Sequence, residues 1–168
     1  GHSLGGAVAV EVGRLLPDTV THVIALDALH YLGLFPAQDE QQTKALLQPF
    51  HEDFPAAVRG LVEAGSPEGT DPALTDSYFK KMVAVRQPAG LRSLEGLMHW
   101  DMDAALHETK QPITLYAVRS ILTQEAFDRY HHRIRIVPVD LGTHHFPVES
   151  PEDTARLLAD ALPDENAF

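Results

Sequence analysis

With 168 residues, 44% of them apolar, the chain has one domain's length and enough hydrophobic material for a core. Thirteen Lys and Arg against 24 Asp and Glu give a formal charge of −11, which repels polyanions and argues against nucleic acid as a partner. The absence of cysteine excludes disulfides, zinc-thiolate sites and thiol catalysis together and makes the reducing cytoplasm the expected location; no apolar run reaches the ~20 residues of a membrane span.

The chain opens on Gly1-His2-Ser3-Leu4-Gly5-Gly6 with no strand in front of it, which leads us to expect an N-terminally incomplete sequence. Residues 4–16 are small and apolar nearly all round, the pattern of a helix buried against a sheet, and Pro17-Asp18 ends it. Val20 to Leu26 reads as a strand covered on both faces, with Asp27 at its C-terminal end, where α/β sheets place their sites. From His30 to about Glu108 the pattern changes to short helical stretches punctuated by proline and acidic residues. These run from about 38 to 50, from 53 to 64, and onward from Pro72 with Leu74, Tyr78, Met82 and Val85 at helical spacing; Pro55 and Pro72 suit first-turn positions. Ile113 to Val118 resumes the sheet, a helix is expected near 124–131, and 134–139 gives a last strand. Ser150-Pro151-Glu152-Asp153 supplies an N-cap, an N1 proline and an acidic first turn for a closing helix that carries Leu157, Leu158 and Leu162.

Gly1-His2-Ser3-Leu4-Gly5 matches G-x-S-x-G, a sharp strand-to-helix turn that strains the serine backbone and lifts its Oγ above a sheet. Flanking side chains would collide in so tight a turn, and Gly6 lets the helix approach the neighbouring strand. The bland alternative is a helix N-cap serine with glycines around it. Further on, Gly142-Thr143-His144-His145-Phe146-Pro147-Val148-Glu149-Ser150-Pro151-Glu152 follows the last expected strand.

With these two motifs the chain resembles the serine esterases and lipases of the α/β-hydrolase superfamily. The second stretch is similar to the G-x-G-H-F-P…E-x-P-E loop of many of its members. The resemblance implies an α/β fold, the C-terminal half of an α/β-hydrolase sheet with an inserted helical cap. Residues 1–29 would supply the elbow, helix and strand, 30–108 the cap or lid, and 109–168 the rest of the core with the histidine loop. It implies Ser3 as nucleophile and His145, directly before Phe-Pro, as general base. His144 stands where the family usually has glycine and is the alternative base, since one residue fewer than expected separates Pro147 from Glu149. The backbone N–H of Leu4 is the first oxyanion donor, and the second is expected from a loop after an earlier strand, upstream of Gly1.

The acid departs from the family pattern, because Arg119-Ser120-Ile121-Leu122-Thr123, after the strand that usually precedes it, holds no carboxylate. Asp27 is the first choice, with Asp128 or Glu125 as alternatives if their loop folds back. The chemistry implied is two-step acyl transfer on a small-molecule ester, with an acyl-enzyme intermediate and no cofactor. No recognised metal spacing is present, His131-His132 and the run 99–103 included. An acyltransferase on the same Ser-His machinery and a non-catalytic ligand-binding member of the fold remain as other readings. Trp100, Phe79, Tyr78 and Met98 are candidates for either an acyl pocket or plain core.

Overall fold

The computed structural model describes residues 1–31 and 37–162. Residues 32–36, inside the expected insertion, and 163–168 lie outside the described part. The chain divides into two compact units, Gly1–Pro36 with Asp101–Phe168, and Ala37–Trp100.

The first unit is built on three parallel strands in the order β1-β2-β3: Val23–Leu26, Ile113–Val118 and Arg135–Val139. The outer side of β1 pairs with the first residues of the chain. The Gly1 N–H donates to the Ile24 carbonyl at 2.8 Å, Leu26 N–H to the Gly1 carbonyl at 2.8 Å and Ser3 N–H to the Leu26 carbonyl at 3.2 Å. His2 thus stands in a parallel bridge to Leu26. Strand β1 begins three residues later than Val20, because Thr19 and Val20 donate back to the Leu16 carbonyl and close the end of the preceding helix.

Strand alternation then assigns the two faces. Helix α1 (Leu4–Leu15) packs on the face of Val23 and Ala25, against which its Gly6, Ala7, Val10 and Gly13 are buried. The opposite face, with Leu26, Tyr116 and Val118, packs with Val139, Phe146 and Ala161, and Leu157 and Leu158 of α9 (Pro151–Ala161) close over it. The Tyr116 hydroxyl donates to the Leu157 carbonyl at 2.8 Å, so a buried phenol on the central strand keeps its partner. Every residue of β2 is buried, as a central strand covered on both faces requires. Helix α6 (Met102–Glu108) packs on α1, and α7 (Gln124–Tyr130) connects β2 to β3.

The unit Ala37–Trp100 is all-helical: α2 (Glu40–Glu52), α3 (Phe54–Ala64), α4 (Pro72–Val83) and α5 (Gln87–Met98). Aspartates start three of them. Asp39 forms a reciprocal capping box with Gln42, while Asp53 and Asp71 accept from the N–H groups of Ala56 and Ala73, and Pro55 and Pro72 both occupy first-turn positions. Phe54, Val58 and Val62 bury one face of α3, and α3 packs on both α2 and α4. Tyr78 is buried core; Leu74 and Val85, at the same helical spacing, are exposed. The Arg59 guanidinium lies 3.9 Å over the Phe79 ring.

Candidate active site

The elbow is built by two hydrogen bonds and two glycines. Gly5 N–H donates to the His2 carbonyl and Gly6 N–H to the Ser3 carbonyl, each at 2.8 Å, which bends the chain from strand into helix around Ser3. Ser3 pays with φ 53° and ψ −128°, a left-handed conformation that L-residues avoid and that persists only where the surrounding structure over-determines it. Its side chain makes no capping hydrogen bond to α1. A serine kept only as an N-cap would have extended backbone and would use its Oγ on the helix, so the bland reading does not describe this residue. A Cβ on Gly1 would overlap the Gly5 carbonyl, and one on Gly6 would overlap Ala28 Cβ, but one on Gly5 would meet nothing within 4 Å. The steric reason expected for the glycines therefore holds for Gly1 and Gly6 and not for Gly5. Leu4 opens α1, so its N–H is one of the four donors a helix leaves without an internal acceptor.

Asp27 follows β1 with φ 40° and is fully buried. Its N–H donates to the Tyr116 carbonyl at 2.7 Å, anchoring it across the β1–β2 pair. A buried carboxylate needs partners on both oxygens. Oδ1 accepts from the Val118 N–H at 2.7 Å, and Oδ2 accepts from His144 Nδ1 at 2.6 Å. Since the carboxylate can only accept, Nδ1 of His144 carries the proton and Nε2 is left as the basic nitrogen.

The imidazole on Asp27 is thus that of His144, where the motif put His145. The physical reason lies in the loop. Adjacent side chains on an extended loop would point apart, but the chain here turns into a short helix, α8 (Phe146–Glu149), and the two rings lie edge to face at 5.2 Å. Glu149 sets that turn: its carboxylate accepts from both the N–H and the Oγ of Thr143, each at 2.7 Å, and Thr143 Oγ accepts in turn from the His145 N–H at 3.1 Å. Gly142, at φ 137°, has no room for a Cβ beside Glu149. Ser150 precedes α9 but makes no side-chain cap, because its Oγ donates to the Leu141 carbonyl at 2.7 Å and closes the base of the loop. Burial, with the neighbouring His144 and His2 adding to it, pushes His145 down to about 4. A base so far below neutrality takes up a proton poorly at pH 7.

The alternative acids stand elsewhere. Asp128 accepts from Gln124 on the exposed side of α7, and Glu125 lies exposed in its first turn. Arg119, where the family pattern wants a carboxylate, pairs instead with Asp140 at 2.9 Å.

Three residues that the motifs did not single out complete the cluster. His2 Nε2 donates to the His144 carbonyl at 2.7 Å and its ring lies 4.7 Å from that of His144, tying the elbow to the histidine loop. His30 is buried, with Nδ1 donating to the Ala28 carbonyl at 2.8 Å and Nε2 3.6 Å from Asp27 Oδ1. Tyr31 places its hydroxyl 3.3 Å from Ser3 Oγ and its ring edge-on to those of His30 and His144, at 5.0 and 5.9 Å. Among the described residues, no group of three or more His, Asp or Glu side chains is arranged to hold a metal ion, and no helix is long and apolar enough to cross a membrane.

No protein-family model and no curated protein sequence matches the chain. Solved structures do. The chain superposes on an esterase from Exiguobacterium antarcticum with a TM-score of 0.71 at 16% identity, over 95% of this chain and 64% of that one. An enol-lactonase from Burkholderia xenovorans gives 0.73 at 14%, over 95% and 63%. A bromoperoxidase from Bacillus anthracis gives 0.70 at 15%, over 95% and 64%. At such identities the likeness is one of fold, and the chain has the C-terminal part of the α/β-hydrolase fold, spanning somewhat under two thirds of the length of these proteins.

Proposed function

We propose that the chain carries the catalytic residues of a serine hydrolase that cleaves a small-molecule ester through an acyl-enzyme. Ser3 is the nucleophile, His144 the general base, Asp27 the acid that orients it, and the Leu4 N–H an oxyanion donor. One observation carries this reading: a fully buried carboxylate accepts from His144 Nδ1 at 2.6 Å, while Ser3, held at φ 53°, makes no capping hydrogen bond and shares its Oγ with the hydroxyl of Tyr31, whose ring lies edge-on to that of His144. A histidine held in one tautomer by a buried carboxylate supports this role, because an oriented base of that kind is what activates a weak hydroxyl. The bond from His144 to Asp27 supports this reading over a non-catalytic member of the fold, despite the absence of a carboxylate after β2. That two of the similar structures are named esterase and enol-lactonase supports an acyl–oxygen bond as the target.

In the reaction, His144 Nε2 takes the Ser3 proton as Oγ bonds to the carbonyl carbon, while Nδ1–H stays on Asp27 and the imidazolium is stabilised there. The Leu4 N–H, at the positive end of α1, meets the charge that develops on the former carbonyl oxygen. Return of the proton expels the alcohol, and water repeats the sequence on the acyl-enzyme. We assign α2–α5, inserted in chain order between β1 and β2, the part of the expected cap.

The test is labelling of the full chain by a fluorophosphonate probe. Ser3→Ala should abolish labelling and His144→Ala should slow it by orders of magnitude, with His145→Ala much closer to the unaltered protein. If His145→Ala is the crippling change, the base assignment is wrong; if Ser3→Ala still labels at the same site, so is the nucleophile.

A further inference from the structure

We propose that the Tyr31 phenol is a catalytic hydrogen-bond donor, aimed at the substrate's carbonyl oxygen as it becomes an oxyanion, alongside the Leu4 N–H. The inference rests on Ser3 being the nucleophile. The Tyr31 hydroxyl lies 3.3 Å from Ser3 Oγ, so a reacting carbon on Oγ carries its second oxygen within pivoting distance of the same O–H. A site about 3 Å from both a nucleophile and a donor is where a reacting group fits.

The residue is held for that task. Leu29, at φ 63°, turns the chain straight after Asp27 and Ala28, and the His30 N–H and Nδ1 both donate to the Ala28 carbonyl, at 2.6 and 2.8 Å. The turn that delivers Tyr31 is therefore fixed from the same strand end as the acid. Among the described residues, the groups facing the phenol are Ser3 by hydrogen bond, His30 and His144 by ring edges, and Asp27 through its charge. Burial, and after it the Asp27 charge, push the phenol up to about 12 against the opposing bond from Ser3. The hydroxyl thus keeps its proton through neutral and mildly alkaline pH.

At rest the O–H and Ser3 Oγ share one hydrogen bond. When the Ser3 proton passes to His144 Nε2 and Oγ bonds to carbon, the carbonyl π pair moves onto oxygen and the phenol hydrogen rotates toward that charge. No proton leaves Tyr31; it donates a hydrogen bond only, and the balance of the step is that of acyl transfer. A tyrosine that merely parked the serine would leave this second bond unmade.

The experiment compares 4-nitrophenyl acetate with its thionoester in the full chain, since a thiocarbonyl sulfur is a weak acceptor. Tyr31→Phe should lower kcat on the oxoester about 10²-fold, the scale of one lost oxyanion donor, with KM little changed. On the thionoester the loss should stay below about 10-fold. Equal losses on the two substrates, or none on either, overturn the role. Ser3→Ala in the same assay reports separately on the nucleophile, because both substrates should then go unturned. For a phenylalanine variant that folds poorly, 3,5-difluorotyrosine at position 31 keeps the shape and lowers the phenol pKa. Its rate should fall as pH rises through that pKa, a limb absent from the unaltered protein, and a profile without the limb also overturns the role.

Discussion

Asp27 shows how much one side chain's orientation is decided by the backbone around it. Its Oδ1 accepts from the Val118 N–H, so that oxygen must remain an acceptor in any isostere. In Asp27→Asn the amide oxygen is therefore held on Val118 and the NH₂ is turned toward His144 Nδ1, where it can only donate. The imidazole must then accept on Nδ1 and carry its proton on Nε2, the nitrogen that in the proposed mechanism receives the Ser3 proton. We expect kcat to fall roughly 10³- to 10⁴-fold with KM little changed, as when the acid of a Ser-His-Asp set becomes an amide. Steady-state kinetics on Asp27→Asn and Asp128→Asn side by side check it. A crippling Asp128→Asn with a silent Asp27→Asn would move the acid to α7.

Between elements, α1 approaches β1 and the residues after it through two missing methyl groups, at Gly6 beside Ala28 and at Gly13 beside Val23. Gly6→Ala would drive its Cβ into Ala28, next to the acid, so the helix must lift off the strand; we expect a loss of about 1–3 kcal/mol, the usual cost of overpacking. Gly5→Ala meets open space inside the helix and should hold or raise stability by up to about 1 kcal/mol. Urea denaturation of the two variants separates these outcomes. The sequence marked these elements well where packing follows a local pattern: small residues for α1, continuous apolar runs for β1 and β2, proline and aspartate for the starts of α3 and α4. Asp27 stood out because it ends a strand. The histidine that meets Asp27 is different, since choosing between His144 and His145 depends on how Glu149 folds the loop onto Thr143, a contact six residues away that no periodicity encodes. His2, His30 and Tyr31 meet their partners only through the assembled β1 end and histidine loop, so nothing beside them in sequence foretold their neighbours.

Across the whole molecule, the site concentrates imidazoles that burial keeps uncharged: His2, His30 and His145 are all held below the ordinary 6.5, His145 at about 4. A histidine whose folded pKa is depressed binds fewer protons folded than unfolded between the two values. Its neutral burial is then fully tolerated above 6.5 and opposes folding increasingly as pH drops from there toward about 4. The urea midpoint of the full chain should accordingly decline between pH 7 and pH 5, and His145→Gln should flatten that decline; an equally steep decline in the variant would remove His145 from the cause. A last consequence concerns the mounting of the three proposed catalytic parts. Ser3 hangs from the Leu26 carbonyl and Asp27 is the next residue, tied across to Tyr116, so both are bolted to one plate. A substitution that shifts the sheet carries Ser3 and Asp27 along together. Only the imidazole rides on a separate bracket, and its two set-screws are Glu149, which folds the loop, and His2, which holds the His144 carbonyl; fine adjustment of this machine, by drift or by design, belongs there.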